Sequence, residues 1–311
     1  MKRSLVAAGL IAATLNGSYA LADETRSENM MIIESNDIEL ATQSFGAEGD
    51  PTVLLVMGAT ASMLGWPDGF CEALASNGLR VIRFDHRDTG LSTTVPPGQA
   101  TYTVEEMAGD VTAVMDAYKL ETTNLVGMSL GGLLSQIVAL DHPDRVRTVT
   151  LIASEPLGWD GELLPHIAPA FMEHFGTVAD LDWSDTDAAT HFVVEIDRLS
   201  SGTRAPFDAQ WSADRARRVL ERSESPGSMF NHASVAVAED WTGRFGEILQ
   251  PVLVIHGSED PVLPLPNGQA LAAGIPDAEL LVLDGVGHEL PAAAWQPVAE
   301  AIARTVTAES N

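Results

Sequence analysis

Hydrophobic residues in this chain fall into short continuous runs, separated by longer stretches with helical spacing. Val53 to Met57 is apolar throughout, preceded by Pro51-Thr52 and closed by Gly58. Such a run predicts a strand buried on both faces, as in a parallel sheet. Leu79 to Phe84, Leu125-Val126, Val146 to Ala153, Pro251 to Ile255 and Glu279 to Leu283 predict further strands. Ile38 to Ser44 predicts a first edge strand, and residues 23–37 read as a loose polar lead-in. Phe70 to Ser76 predicts a helix that stops at Asn77-Gly78. Thr103 to Tyr118 predicts another, with Val104, Met107, Val111, Val114 and Met115 on one face. Strands alternating with helices give an α/β class, a mostly parallel central sheet with helices on both faces.

The rhythm breaks over residues 155–246, where no strong strand pattern appears. This stretch holds Trp159, Phe171, Phe175, Trp183, Phe192, Trp211, Phe230 and Trp241. Leu164, Ile167, Phe171 and Phe175 recur near helical spacing. The pattern predicts a helical cap inserted between two parts of one core, residues 23–154 and 247–311. Aromatic residues on such stripes are expected to pack more often than to touch a substrate.

The N-terminus reads differently from both. Met1-Lys2-Arg3 precedes a mostly apolar run, Ser4 to Leu15, and then Ala20-Leu21-Ala22. A basic start, a short apolar centre and an Ala-x-Ala end describe a secretory signal peptide over residues 1–22, cleaved after Ala22. The run is too short to span a membrane. The remainder is expected to be exported, to a periplasm or the medium, with no stable membrane insertion.

Charge and cysteine usage narrow the partners. The formal net charge is -27, and loss of Lys2 and Arg3 with the leader deepens it. Such a surface repels nucleic acid and anionic membranes. With 45% hydrophobic residues, the chain is not compositionally disordered. Cys71 stands alone, so no intramolecular disulfide forms, and its helix-like surroundings read as a buried, inert thiol. Nothing in the sequence reports the oligomeric state.

The chemistry centres on Gly127-Met128-Ser129-Leu130-Gly131, set between a strand and a helix-like run from Leu133 to Leu140. This is the setting of a nucleophile elbow, where a tight turn lifts a serine hydroxyl above a sheet. A serine hydroxyl needs a histidine to take its proton, and that histidine needs an orienting carboxylate. Asp260, in His256-Gly257-Ser258-Glu259-Asp260-Pro261, and His288, in Gly285-Val286-Gly287-His288-Glu289, each follow a strand-like run. Serine, acid and histidine stand in the expected chain order. Glu259, Asp284 and Glu155 are alternative acids, with Asp260 best placed by its loop and the following proline. Ser129, Asp260 and His288 are therefore the predicted catalytic residues. The oxyanion donors are predicted to be the backbone N–H groups of Leu130 and Ala59, the latter in Met57-Gly58-Ala59-Thr60. His256 reads as structural, His86 as a loop residue and His142 as a surface residue. His166, His174, His191 and His232 show no metal-ligand spacing, so neither metal nor cofactor is expected.

With these residues in place, the chain resembles the α/β-hydrolase superfamily, and within it the subgroup of aclacinomycin methylesterase. The resemblance rests on Leu54-Leu55-Val56-Met57-Gly58 with Leu64-Gly65-Trp66-Pro67, and on the long stretch from Arg80 to Thr93. The serine motif, Ala139-Leu140-Asp141-His142 and Gly287-His288-Glu289-Leu290-Pro291 agree with it. It covers about residues 35–155 and 245–305 and is weak across the cap. The resemblance implies a serine carboxylic ester hydrolase without cofactor, acting on a small-molecule ester through the residues named above. Two features differ from that family: Ala59 stands where glycine is common, and the relatives are largely cytoplasmic. A lactone, amide or perhydrolase reaction would use the same triad. A non-catalytic binding protein on this fold would be expected to have lost it.

Overall fold

A computed structural model describes residues 29–308 of the chain. The expected leader lies outside the described residues. Eight strands form one sheet: β1 (Met30–Ser35), β2 (Ile38–Phe45), β3 (Thr52–Val56), β4 (Arg80–Phe84), β5 (Thr123–Met128), β6 (Val146–Ile152), β7 (Val252–Gly257) and β8 (Glu279–Leu283). Their order is β1-β2-β4-β3-β5-β6-β7-β8. β2 runs antiparallel to both β1 and β4, and every pair from β4 to β8 is parallel.

The continuous apolar runs are strands with both faces covered, except the edge strand β8, which is mostly exposed. In β3, Leu54 and Val56 join one buried cluster, while Val53 and Leu55 join the other. β7 divides the same way, with Val252 and Val254 on one side and Leu253 and Ile255 on the other. The first cluster is closed by α2 (Val104–Ala117), α3 (Leu130–Asp141) and α7 (Pro266–Gly274). The second is closed by α1 (Asp68–Ser76) and α8 (Ala292–Ala308). α2 begins with a capping box between Thr103 and Glu106, and its five predicted apolar residues are buried.

Three sequence expectations change here. Residues 30–35 form a strand instead of a loose lead-in, so β1 is the edge and β2 is not. Asn36 and Asp37, with φ 43 and 70, make the two-residue turn that a tight hairpin requires. The terminal helix α8 was not anticipated. In the inserted region, Leu164 and Ile167 precede the helix α4 (Pro169–Phe175) instead of belonging to it. Pro165 and Pro169 disfavour helical geometry in the residues before them.

Between β6 and β7 the described chain forms α4, α5 (Thr186–Ser200), α6 (Ala209–Glu221) and 3-10 turns including Pro226–Ser234, with no strand. Asp185 and Asp208 cap α5 and α6. A small cluster of Ala189, Val219, Leu220 and Met229 packs with Trp183, Phe230 and the core residue Leu64.

Candidate active site

Sheet register gathers the predicted site residues. Val56 pairs with Gly127, Met128 with Ile152, Ile152 with Ile255, and Gly257 with Leu283. The strands thus end level, and the loops carrying Ala59, Ser129, Glu155, Asp260 and His288 emerge along one edge, where open parallel sheets bind ligands.

At the elbow, Ser129 has φ 53 and ψ -120 and forms the N-cap of α3. This conformation is strained for a non-glycine residue. It is held by the bond from Ser129 N–H to the Ile152 carbonyl (2.9 Å) and by Ser154 Oγ donating to the Ser129 carbonyl (2.9 Å). A side chain on Gly127 would strike the Gly131 carbonyl, and one on Gly131 would strike the carbonyls of Val56 and Met57. The glycines are there because the helix packs back onto the strands at backbone contact. Leu130 opens α3, so its N–H has no intrahelical acceptor and lies at the positive end of the helix. A Cβ on Gly58 would lie 3.2 Å from Ser129 Cβ, which sets the Gly58-Ala59 loop beside the serine.

Asp260 and His288 meet directly. Asp260 Oδ2 accepts from His288 Nδ1–H at 2.8 Å, and Oδ1 accepts from the N–H groups of Val262 and Leu263, both at 2.8 Å. With its proton on Nδ1, the imidazole leaves Nε2 as a base. Of the alternative acids, Asp284 is exposed and the other two are engaged elsewhere. Glu259 accepts from Thr203 N–H and Oγ. Glu155 pairs with His166 at 3.1 Å, and burial pushes its carboxyl above the ordinary range against the pull of that histidine.

The inserted region grips the histidine loop. His288 N–H donates to the Ser200 carbonyl (2.7 Å), Gly202 N–H to Glu289 (2.8 Å) and Arg204 N–H to the Gly285 carbonyl (2.7 Å). Burial raises the Glu289 carboxyl above its usual range, opposed by the hydrogen bond from Gly202 N–H.

Ser129, Leu130, Ala59 and His288 line one cavity of about 840 Å³. Its far wall comes from the insertion and includes Phe171, Phe175, Trp211 and Phe230. Walls that are mostly apolar, with a polar minority that includes Glu155, Asp197, Arg215 and Glu289, suit a small organic ligand.

The other histidines separate by burial. His256 is buried in β7, with its ring bonded to the Leu263 carbonyl at 2.6 Å, and His142 is exposed. His86 and His232 are both buried near the Ala59 loop, a placement the sequence did not reveal for His232. His232 lies far from that loop in the chain and carries no local motif. Among the described residues, no group of three or more His, Cys, Asp or Glu side chains is arranged to hold a metal. Burial pushes the Cys71 thiol up to about 12, so it stays protonated.

A family model for the alpha/beta hydrolase fold matches residues 51–291. The chain belongs to the α/β-hydrolase fold family. It is 32% identical to the rhodomycin D methylesterase DauP of Streptomyces sp. strain C5, covering 87% of this chain and 96% of that protein. Identity to the rhodomycin D methylesterase DnrP of Streptomyces peucetius is 31%, over the same shares of the two chains. Among solved structures, the enol-lactonase of Burkholderia xenovorans LB400 superposes with a TM-score of 0.68 at 23% identity. That match covers 90% of this α/β hydrolase and 99% of the lactonase.

Proposed function

We propose that this α/β hydrolase is an exported serine esterase, working through an acyl-enzyme on Ser129. The observation that carries the reading is the Asp260–His288 hydrogen bond, opening onto the same cavity as the strained Ser129. Ser129 Oγ attacks the ester carbonyl carbon as His288 Nε2 takes its proton. The oxyanion accepts from the N–H groups of Ala59 and Leu130. Collapse of the tetrahedral adduct breaks the carbon–oxygen bond, and His288 returns the proton to the departing alcohol. Water, deprotonated by His288, then attacks the acyl-enzyme and frees the carboxylic acid and Ser129.

The substrate class we favour is the methyl ester of a bulky, largely apolar acid. The cavity volume and its aromatic far wall support it, and two relatives covering most of the chain are methylesterases by name. Export rests on the leader pattern of residues 1–22.

The test is hydrolysis of p-nitrophenyl esters, methyl esters of polycyclic acids and lactones, with fluorophosphonate labelling alongside. Turnover and labelling are expected in the wild type and absent in Ser129→Ala. Retained turnover in that variant would sink the assignment. Export is read from the secreted protein by mass spectrometry, with Asp23 expected as its first residue. A product that retains Met1 inside the cell would overturn it.

A further inference from the structure

The loop that carries Ala59 is held at both ends by buried histidines outside the triad. At its start, the Met57 carbonyl accepts from His86 Nε2–H at 2.8 Å. At its end, Thr60 N–H donates to His232 Nδ1 at 3.1 Å. A backbone N–H can only donate, so Nδ1 of His232 carries a lone pair. The ring proton therefore sits on Nε2, which donates to the Arg87 carbonyl at 2.8 Å. The two rings meet edge to face with centroids 5.9 Å apart.

Thr60 itself needs an anchor. Its φ is 60, a left-handed conformation that a β-branched residue adopts only under strain. Without a partner for Thr60 N–H, the loop would be free to relax toward ordinary geometry, and Ala59 would move with it. His232 comes from the 3-10 turn Pro226–Ser234 of the inserted region. The turn is fixed in its own right, because Asn231 Nδ2 donates to Asp88 at 2.8 Å and Ser228 Oγ to the Val95 carbonyl at 2.6 Å.

We propose that His232 is a positioning residue for the oxyanion loop. Its Nδ1 fixes Thr60, and through it the direction of the Ala59 N–H. The insertion then does more than roof the cavity: it completes the catalytic centre with a residue that never needs to touch the reacting atoms. The proposal rests on the esterase reading above. Donors of this kind must be held within about 0.5 Å of their working position. Loss of one outright costs about 10²–10³-fold in kcat.

Two polar replacements separate positioning from simple packing. In His232→Asn, the side-chain oxygen stands near the place of Nδ1 and can accept from Thr60 N–H. In His232→Gln, the longer amide reaches toward the Arg87 carbonyl and leaves Thr60 N–H without its acceptor. With a p-nitrophenyl ester, Gln is expected to lower kcat about 10–100-fold with KM within about threefold, a fraction of a lost donor. Affinity for a trifluoromethyl ketone, which forms an oxyanion on Ser129, should fall by the same factor. Asn should hold kcat within about fivefold of wild type, since it restores the bond. Thermal melts establish that both variants are folded, and His232→Leu adds a third point. The proposal is overturned by a folded Gln variant with wild-type kcat, by equal losses in Asn and Gln, or by a loss confined to KM. A wild type that neither turns over esters nor takes the fluorophosphonate label instead overturns the esterase reading, and this proposal with it.

Discussion

The sheet and the segment between β6 and β7 are held in place by different means. The sheet is buried between two apolar clusters, and most of their residues have no exposed surface. The inserted segment has a far smaller cluster of its own. Leu157, Trp241 and Phe245 at its two ends join the core's apolar cluster, and directed polar contacts fasten the rest. Arg222 reaches the buried Asp85 at 2.8 Å, Trp241 Nε1 donates to Glu105 at 2.9 Å, and Ser200 to Arg204 bind the histidine loop. Apolar burial is spread over many atoms and lacks direction, whereas a hydrogen bond fixes a distance and an angle. The core therefore supplies a rigid frame, and the insertion supplies exact placement at a few points. Substitutions in the two regions should fail in different ways.

The largest effect belongs to Ser129→Ala, at the frame's working edge. Turnover should drop by at least about 10⁴-fold, the scale of losing a triad nucleophile. Stability should hold, because the Ser129 side chain caps nothing and alanine keeps the same strained backbone at φ 53. Kinetics and a thermal melt on one preparation check both halves. A variant that loses activity only by unfolding would place the rate in the packing and not in the hydroxyl.

Next in size is a polar tether. Arg222→Met leaves Asp85 buried with its carboxylate still accepting from Met63 and Leu91 N–H, but without its cation. The expected cost is about 3 kcal/mol in denaturant unfolding, the low end for a broken buried pair because Arg222 is partly exposed. Adding Asp85→Asn should recover part of the loss. Additive losses would mean the pair contributes nothing as a pair.

The same contrast explains what could be read from the sequence. Strands β3 to β7 were legible because burial on both faces forces continuous apolar runs, and the edge strand β8 because its run is apolar although mostly exposed. Ser129, Asp260 and His288 stood out because each follows a strand in the order this chemistry uses, and the geometry joins Asp260 to His288. β1 was hidden because only Ile33 and Ser35 are buried within it, leaving a weak alternation. Its clue was the Asn36-Asp37 turn. In the insertion, fastening by single contacts leaves no periodic trace. Nothing local to His232, Arg222 or Gly202 announces a partner dozens of residues away.

The two buried histidines give an effect that pH exposes. Burial holds His86 at about 4, with the Met57 bond opposing and the Arg87 charge assisting. Burial also holds His232 at about 4, assisted by His86 and Arg87 and opposed by the Arg87 carbonyl and Asp88. The ordinary value is 6.5. Between pH 6.5 and 4 the unfolded chain binds protons that the folded chain refuses. Stability is therefore complete above about pH 6.5 and is lost as pH falls toward 4, on the order of 3 kcal/mol per histidine at most. Denaturant midpoints across that window should show the fall, with His232→Asn flattening it by roughly half. Identical curves for the two proteins would show that His232 titrates alike folded and unfolded.

Phe230 should give the smallest change and the sharpest division of labour. Its ring lies against Phe175 (5.4 Å between centroids), Trp183 (5.5 Å) and Phe192 (5.7 Å), and it lines the cavity on the insertion side. Phe230→Ala removes wall without touching the elbow or the Asp260–His288 bond. For p-nitrophenyl acetate, whose acyl group is too small to need that wall, kcat/KM should stay within about twofold. For a methyl ester of a polycyclic acid it should fall about tenfold, near 1.4 kcal/mol, through lost apolar contact. Separate measurement of both substrates decides the matter, because a general loosening of the insertion would also disturb Thr60 and the His288 loop. Such a disturbance lowers both rates together. Only a loss confined to the bulky ester makes the insertion a selector at Phe230 and a positioning element at His232.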